Sequence, residues 1–138
     1  MGIDLTPRMK NWIETLGVHV ATANAKGFPT VIVTDTCKVD SNTIHIPITS
    51  KQKEQIAENL AENPNIAIAP GQLGSVRAPY QFKGNGKIEG DNLTVSITRI
   101  FCTKPGAEAG IRLDVMGYEK MKDFEESRWK DITPPGVI

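Results

Sequence analysis

The sequence has no excess of charge: across its 138 residues, sixteen basic side chains balance sixteen acidic ones. No basic field is present to hold a nucleic-acid backbone, and no block of one sign marks a solvated tail. Cysteine is scarce. Cys37 and Cys102 stand far apart, without the spacing of a metal ligand set or a redox pair. Both read as small buried apolar groups, and free thiols suit a reducing cytosol. Histidine is equally scarce. His19 and His45 each fall inside a strand pattern, where exposure or packing is the ordinary role. No nucleophile elbow supports a Ser-His-Asp arrangement. There is no charged-then-apolar leader, and no apolar run is long enough to cross a bilayer. The chain is therefore expected to be cytoplasmic, with neither membrane nor nucleic-acid partners.

What is present suffices for one domain, 1–138, with an irregular tail over 131–138 that is free or draped on a partner subunit. A chain of this size buries roughly 68–70% of the surface its unfolded form exposes, so a core needs no disulfide.

Residues 43–64 organise the rest. Ile44, Ile46 and Ile48 share one face at period two, which predicts a strand. A polar turn follows, Thr49-Ser50-Lys51-Gln52-Lys53. Thr49 and Gln52 have the spacing of a capping box, which starts a helix there. Asn63-Pro64 ends it, since proline cannot continue a helix. A helix start leaves amide N–H groups unpaired and carries partial positive charge. Two lysines and two hydroxyls crowd the same spot, so the turn is equipped to hold a phosphate. A solvated turn with ordinary helix-start residues is the competing reading.

Thr6-Pro7 starts a first helix, Met9, Trp12, Ile13 and Leu16 form its apolar stripe, and Gly17 stops it. Trp12 is assigned to packing. A strand over 18–23 turns at Asn24-Ala25-Lys26-Gly27 into a second strand over 30–39, with Pro29 at its beginning or on an edge. Asp40-Ser41-Asn42 then leads into the isoleucine strand, completing a three-stranded antiparallel meander. A fourth strand covers 65–70. Residues 71–79 are the longest irregular stretch and contain Arg77. A fifth strand spans 80–89, with Gly84 and Gly86 marking bulges or a barrel bend. After the turn Gly90-Asp91-Asn92, Leu93, Val95 and Ile97 alternate cleanly in a sixth. A short helix closes the pattern over 118–129. Six short antiparallel strands with flanking helices predict a mainly β fold, a small closed or nearly closed barrel.

The segments V-A-T-A-N-A-K-G-F-P-T-V, I-H-I-P-I-T-S-K, N-L-A-E-N-P-N-I-A-I, Q-F-K-G-N-G-K-I-E-G and C-T-K-P-G-A-E-A-G, in this order, resemble the pyridoxamine-phosphate-oxidase-like flavoproteins. This is the six-stranded FMN-binding split barrel. The resemblance implies a homodimer with two FMN sites at the subunit interface. It implies that the second strand, Ile32, Val33, Thr34 and Asp35, lies along the flavin ring through its backbone. Ile48, Thr49, Ser50, Lys51, Gln52 and Lys53 then meet the ribityl chain and phosphate. Gln81, at the start of the fifth strand, reaches the flavin.

The sequence departs from true pyridoxamine phosphate oxidases in several places. Ile32 stands where they carry an arginine, and their basic pair in the phosphate turn is here Gln52-Lys53. Gln55-Ile56 replaces the lysine-threonine of simpler relatives. The helix between the fifth and sixth strands and the substrate-binding C-terminal segment are missing. Pyridoxamine phosphate oxidase activity itself is therefore not expected. Nothing selects the haem ligation found in distant relatives. The expected function is a non-covalent FMN oxidoreductase served by a small-molecule or protein electron donor. FAD or a deazaflavin coenzyme is the alternative cofactor, and a carrier or sensor without turnover the alternative role. No catalytic side chain is singled out, because a flavin carries its own chemistry.

Overall fold

Ile44 and Ile46 are fully buried and Ile48 nearly so, and the strand they define sits in an open seven-stranded antiparallel sheet. The computed structural model of the protein describes residues 3–73 and 76–129. The tail over 131–138 and part of the 71–79 stretch thus lie outside the described residues. Helix α1 is Pro7–Leu16, and strands β1 to β4 are Val18–Ala23, Pro29–Val33, Lys38–Asp40 and Thr43–Pro47. Helix α2 is Ser50–Glu62, and β5 is Asn65–Pro70. A two-stranded ribbon, β6 (Gln72–Leu73) and β7 (Val76–Arg77), precedes the long hairpin of β8 (Tyr80–Glu89) and β9 (Asn92–Cys102). A 3-10 turn at Asp114–Met116 leads to α3, Tyr118–Arg128. The sheet order is β2-β1-β5-β8-β9-β4-β3.

The helices begin and end where local chemistry dictates. Thr6 accepts from the Met9 amide and Pro7 holds the first helical position of α1. Gly17 ends it at a φ of 72°, pressed so close to the next strand that a Cβ there would lie 2.1 Å from the Thr34 carbonyl oxygen. Only glycine fits both demands. In α2, the Thr49 hydroxyl accepts from the Gln52 amide at 3.1 Å, and Gln52 Oε1 accepts from the Thr49 amide at 3.0 Å. The predicted capping box is therefore formed. Asn59, buried on the inner side of α2, donates to the hydroxyls of Thr22 and Thr30 and pins the helix to the β1–β2 hairpin.

The expected second strand over 30–39 and the three-stranded meander are both corrected. The chain leaves the sheet after Val33 and re-enters as β3 at Lys38. Thr34 makes the last rung against β1: its amide donates to the Val18 carbonyl, while its hydroxyl, not its carbonyl, accepts from the Val18 amide. The link 34–37 therefore separates two hairpins, β1–β2 and β3–β4, which lie at opposite edges of the sheet. The expected strand count of six becomes seven in the main sheet for the same reason. Since β2 and β3 are joined by four residues yet occupy opposite ends of the strand order, the sheet curls until its edges approach without pairing. The barrel is split there. At β3, Glu14 of α1 accepts from the Val39 amide at 2.8 Å, which satisfies a group the open edge leaves unpaired.

The core is the inner face of this curl. Val20, Ile32, Ile68, Phe82 and Ile100 form one buried row across five strands, and Leu93, Val95 and Ile97 fill the far side. The register of β8 and β9 shifts at Lys83/Gly84. A Cβ on Gly84 would meet the Ser96 carbonyl oxygen at 1.9 Å, so the predicted bulge sits where the two backbones approach most closely. Trp12 is a core residue, and both cysteines are buried and unpaired. Burial raises the Cys37 thiol pKa, in keeping with a packing role. Among the described residues, no helix is long and apolar enough to cross a membrane.

Candidate functional site

A cleft of about 440 Å³ opens where β2 ends and α2 begins. One wall is Val33 with the link residues Thr34, Asp35 and Thr36; the other is Pro47, Ile48, Thr49 and Gln52. Five residues expected at a cofactor site, Val33, Thr34, Ile48, Thr49 and Gln52, therefore meet in one place, with Asp35 among them. The split brings them together, because, among the described residues, it leaves the outer edge of β2 without a partner strand opposite the corner between β4 and α2.

Gln52 closes the back of the cleft. Its Nε2 donates to the Val33 carbonyl at 2.9 Å while its Oε1 completes the capping box. One side chain thus fixes the start of α2 against the end of β2, and both ends of its carboxamide are engaged. The capping box also takes up the Gln52 amide, so the helix start presents the amides of Ser50 and Lys51. The Thr34 hydroxyl is held by Val18.

The remaining expected residues lie elsewhere. The Ile32 side chain points into the core, and its backbone pairs with Val20 of β1. Ser50 and Lys51 are exposed on the first turn of α2. Lys53 is turned aside, with Nζ donating to the Gly90 carbonyl at 3.0 Å. Gln81 is not in the cleft. It lies on β8, three strand spacings from β2 in the sheet order, or about 14 Å at ~4.8 Å per strand. There it lines a separate hollow with His19 and Arg77.

The cleft opens beside the outer face of the β2-β1-β5 portion of the sheet, which carries exposed valines and alanines around His19 and is indented by a hollow of about 610 Å³ at Ala21 and Ala67. Val31 and Val33 are each 60% exposed, and Phe28 in the preceding turn is 66% exposed. Ala21 and Ala67 follow Val31 across the strands, and His19 and Ala69 follow Val33. Sequence reasoning missed this face. The alternation of Val31 and Val33 with Ile32 was legible, but which set faced inward depended on the order of the strands.

No protein-family model and no curated protein matches the sequence. Solved structures do match its fold. HupZ of Group A Streptococcus is 23% identical, with a TM-score of 0.60 over 77% of this chain and 99% of that one. A pyridoxamine 5'-phosphate oxidase-like protein of Lactobacillus delbrueckii is 17% identical, with a TM-score of 0.60 over 72% of this chain and 94% of the other. HutZ of Vibrio cholerae, a heme storage protein, is 16% identical, with a TM-score of 0.50 over 72% and 95%.

Proposed function

The chain has the split-barrel fold of the pyridoxamine 5'-phosphate oxidase-like proteins, and from that premise we propose that it is a homodimeric FMN-binding oxidoreductase. The observation that carries this reading is the convergence of Val33, Thr34, Ile48, Thr49 and Gln52 on one cleft at a helix start.

The donor set suits a flavin mononucleotide. The Ser50 and Lys51 amides, with the Lys51 ammonium beside them, would hold the phosphate. The exposed edge of β2 offers backbone groups to the ring. Asp35 carries negative charge on the opposite wall, so it suits hydroxyl or N–H donors of the ribityl chain or ring and not the phosphate. Bound FMN would supply transfer of electrons or hydride; the protein supplies binding and orientation.

The apolar outer face supports the dimer, since exposed patches of this kind mark interaction surfaces. In such a pair, each subunit would present its Gln81 to the other's cleft, which accounts for its distance from the cleft of its own chain.

Titration with FMN, followed by flavin absorbance and fluorescence, tests the reading. Saturable binding is expected, weakened about tenfold or more by Lys51→Ala, the scale of one charge-assisted hydrogen bond. Lys53→Ala should matter less, because Gly90 already engages that side chain. Absence of FMN binding would sink the proposal. Equal loss in the two variants would show that the phosphate lies elsewhere.

A further inference from the structure

A second, smaller hollow opens on the outer face around the ends of β1, β5 and β8. It encloses about 280 Å³, room for roughly nine waters at ~30 Å³ each. Arg77, His19, Gln81 and Thr103 line it, drawn from four separate segments of the chain. Ala69 and Pro70 supply an apolar wall. Among the described residues, no aspartate or glutamate faces into it.

The donor inventory is specific. A guanidinium presents a planar fork matched to two oxygens, a carboxamide and a hydroxyl add N–H and O–H donors, and an imidazole adds one or two more. There is one permanent positive charge and no facing negative one. That balance suits a single negative charge spread over two oxygens. A phosphate dianion would call for more cations than the hollow holds, and the apolar wall would go unused.

We infer that this hollow binds a small monocarboxylate, with its carboxylate on Arg77 beside His19 and Gln81 and its apolar body against Ala69 and Pro70. His19 is the direct cross-strand partner of Val33, and Val33 lines the first cleft. The hollow thus reaches the cleft at its His19 end, one strand spacing or about 4.8 Å from Val33, while Gln81 marks its far end on β8. On the flavin reading, on which this last step rests, a small carboxylic acid is the class of substrate held beside the cofactor. Binding of the acid itself does not depend on flavin.

The test uses the full chain without added flavin. Its two histidines give two imidazole Hε1 proton resonances, assigned with a His45→Gln variant. Benzoate, a monocarboxylate with about as many heavy atoms as the hollow has room for waters, is titrated at fixed pH. The His19 resonance is expected to move saturably while that of His45 stays still. Arg77→Gln, at an exposed position, should weaken the response about tenfold or more. Neutral benzamide and inorganic phosphate should each bind more weakly than benzoate. No saturable shift, an undiminished response in Arg77→Gln, or benzamide or phosphate matching benzoate would each overturn the inference. An FMN titration on the same samples keeps the two readings apart: benzoate binding without FMN binding would overturn the flavin reading alone.

Discussion

Glu125 shows how far one side chain's setting can depart from its surface role. It lies on α3, only 2% exposed, and its carboxylate accepts from the Thr6 hydroxyl at 2.8 Å and from the Tyr80 hydroxyl. One carboxyl therefore ties α3 to the cap of α1 and to β8. Burial raises its pKa from the ordinary 4.5, against the opposing pull of the two hydroxyls. The fold thus favours the protonated form. Stability from this group is complete below 4.5 and is lost as pH rises through the raised folded value. The melting temperature of the wild type, relative to Glu125→Gln, should fall as pH rises above the ordinary carboxylate value of 4.5. A difference that stays flat with pH would remove Glu125 as the cause. None of this was legible in the sequence, where Glu125 is one acid on a polar-faced helix. Its burial depends on Tyr80 and Thr6 arriving from distant segments.

Among elements, the join between α1 and β1 is the most constrained. Gly17→Ala would drive a methyl group into the Thr34 carbonyl and force a side chain into a left-handed backbone. A loss of at least ~2 kcal/mol is expected by chemical denaturation. A loss near zero would mean that the 34–37 link moves freely away from α1. This link is also where sequence reading failed. Thr34, Thr36 and Cys37 carry no break signal, and the alternation of Val31, Val33 and Asp35 runs on unbroken. The strand stops because Thr34 makes the last rung against Val18 and its hydroxyl, in place of its carbonyl, takes the Val18 amide, a tertiary contact that no local pattern encodes. Where local chemistry decides, the elements matched expectation closely. The Thr6 cap with Pro7 behind it, the capping box of Thr49 and Gln52 and the alternation of Leu93, Val95 and Ile97 are examples. The candidate cleft was half legible on the same terms. Its helix-start wall belongs to one continuous stretch of chain, whereas the place of Gln81 depends on strand order.

For the molecule as a whole, the proposed dimer rests on the outer face of the β2-β1-β5 portion. Exposed Val31, Val33 and Phe28 give it apolar area, and water gains entropy when such a surface is covered. Val31→Arg places a charge in the middle of that face without touching the core or the cleft. It should turn a dimer into a monomer in analytical ultracentrifugation while leaving the far-UV circular dichroism unchanged. A wild type that sediments as a monomer, or a variant that remains a dimer, would refute this use of the face.

The gap between β2 and β3 leaves the barrel like a cask short of one stave. The first cleft lies beside that gap, with Val33 on one side and Pro47 on the other. Cargo lodged there would bridge both lips, so loading the vessel and finishing its wall become the same event.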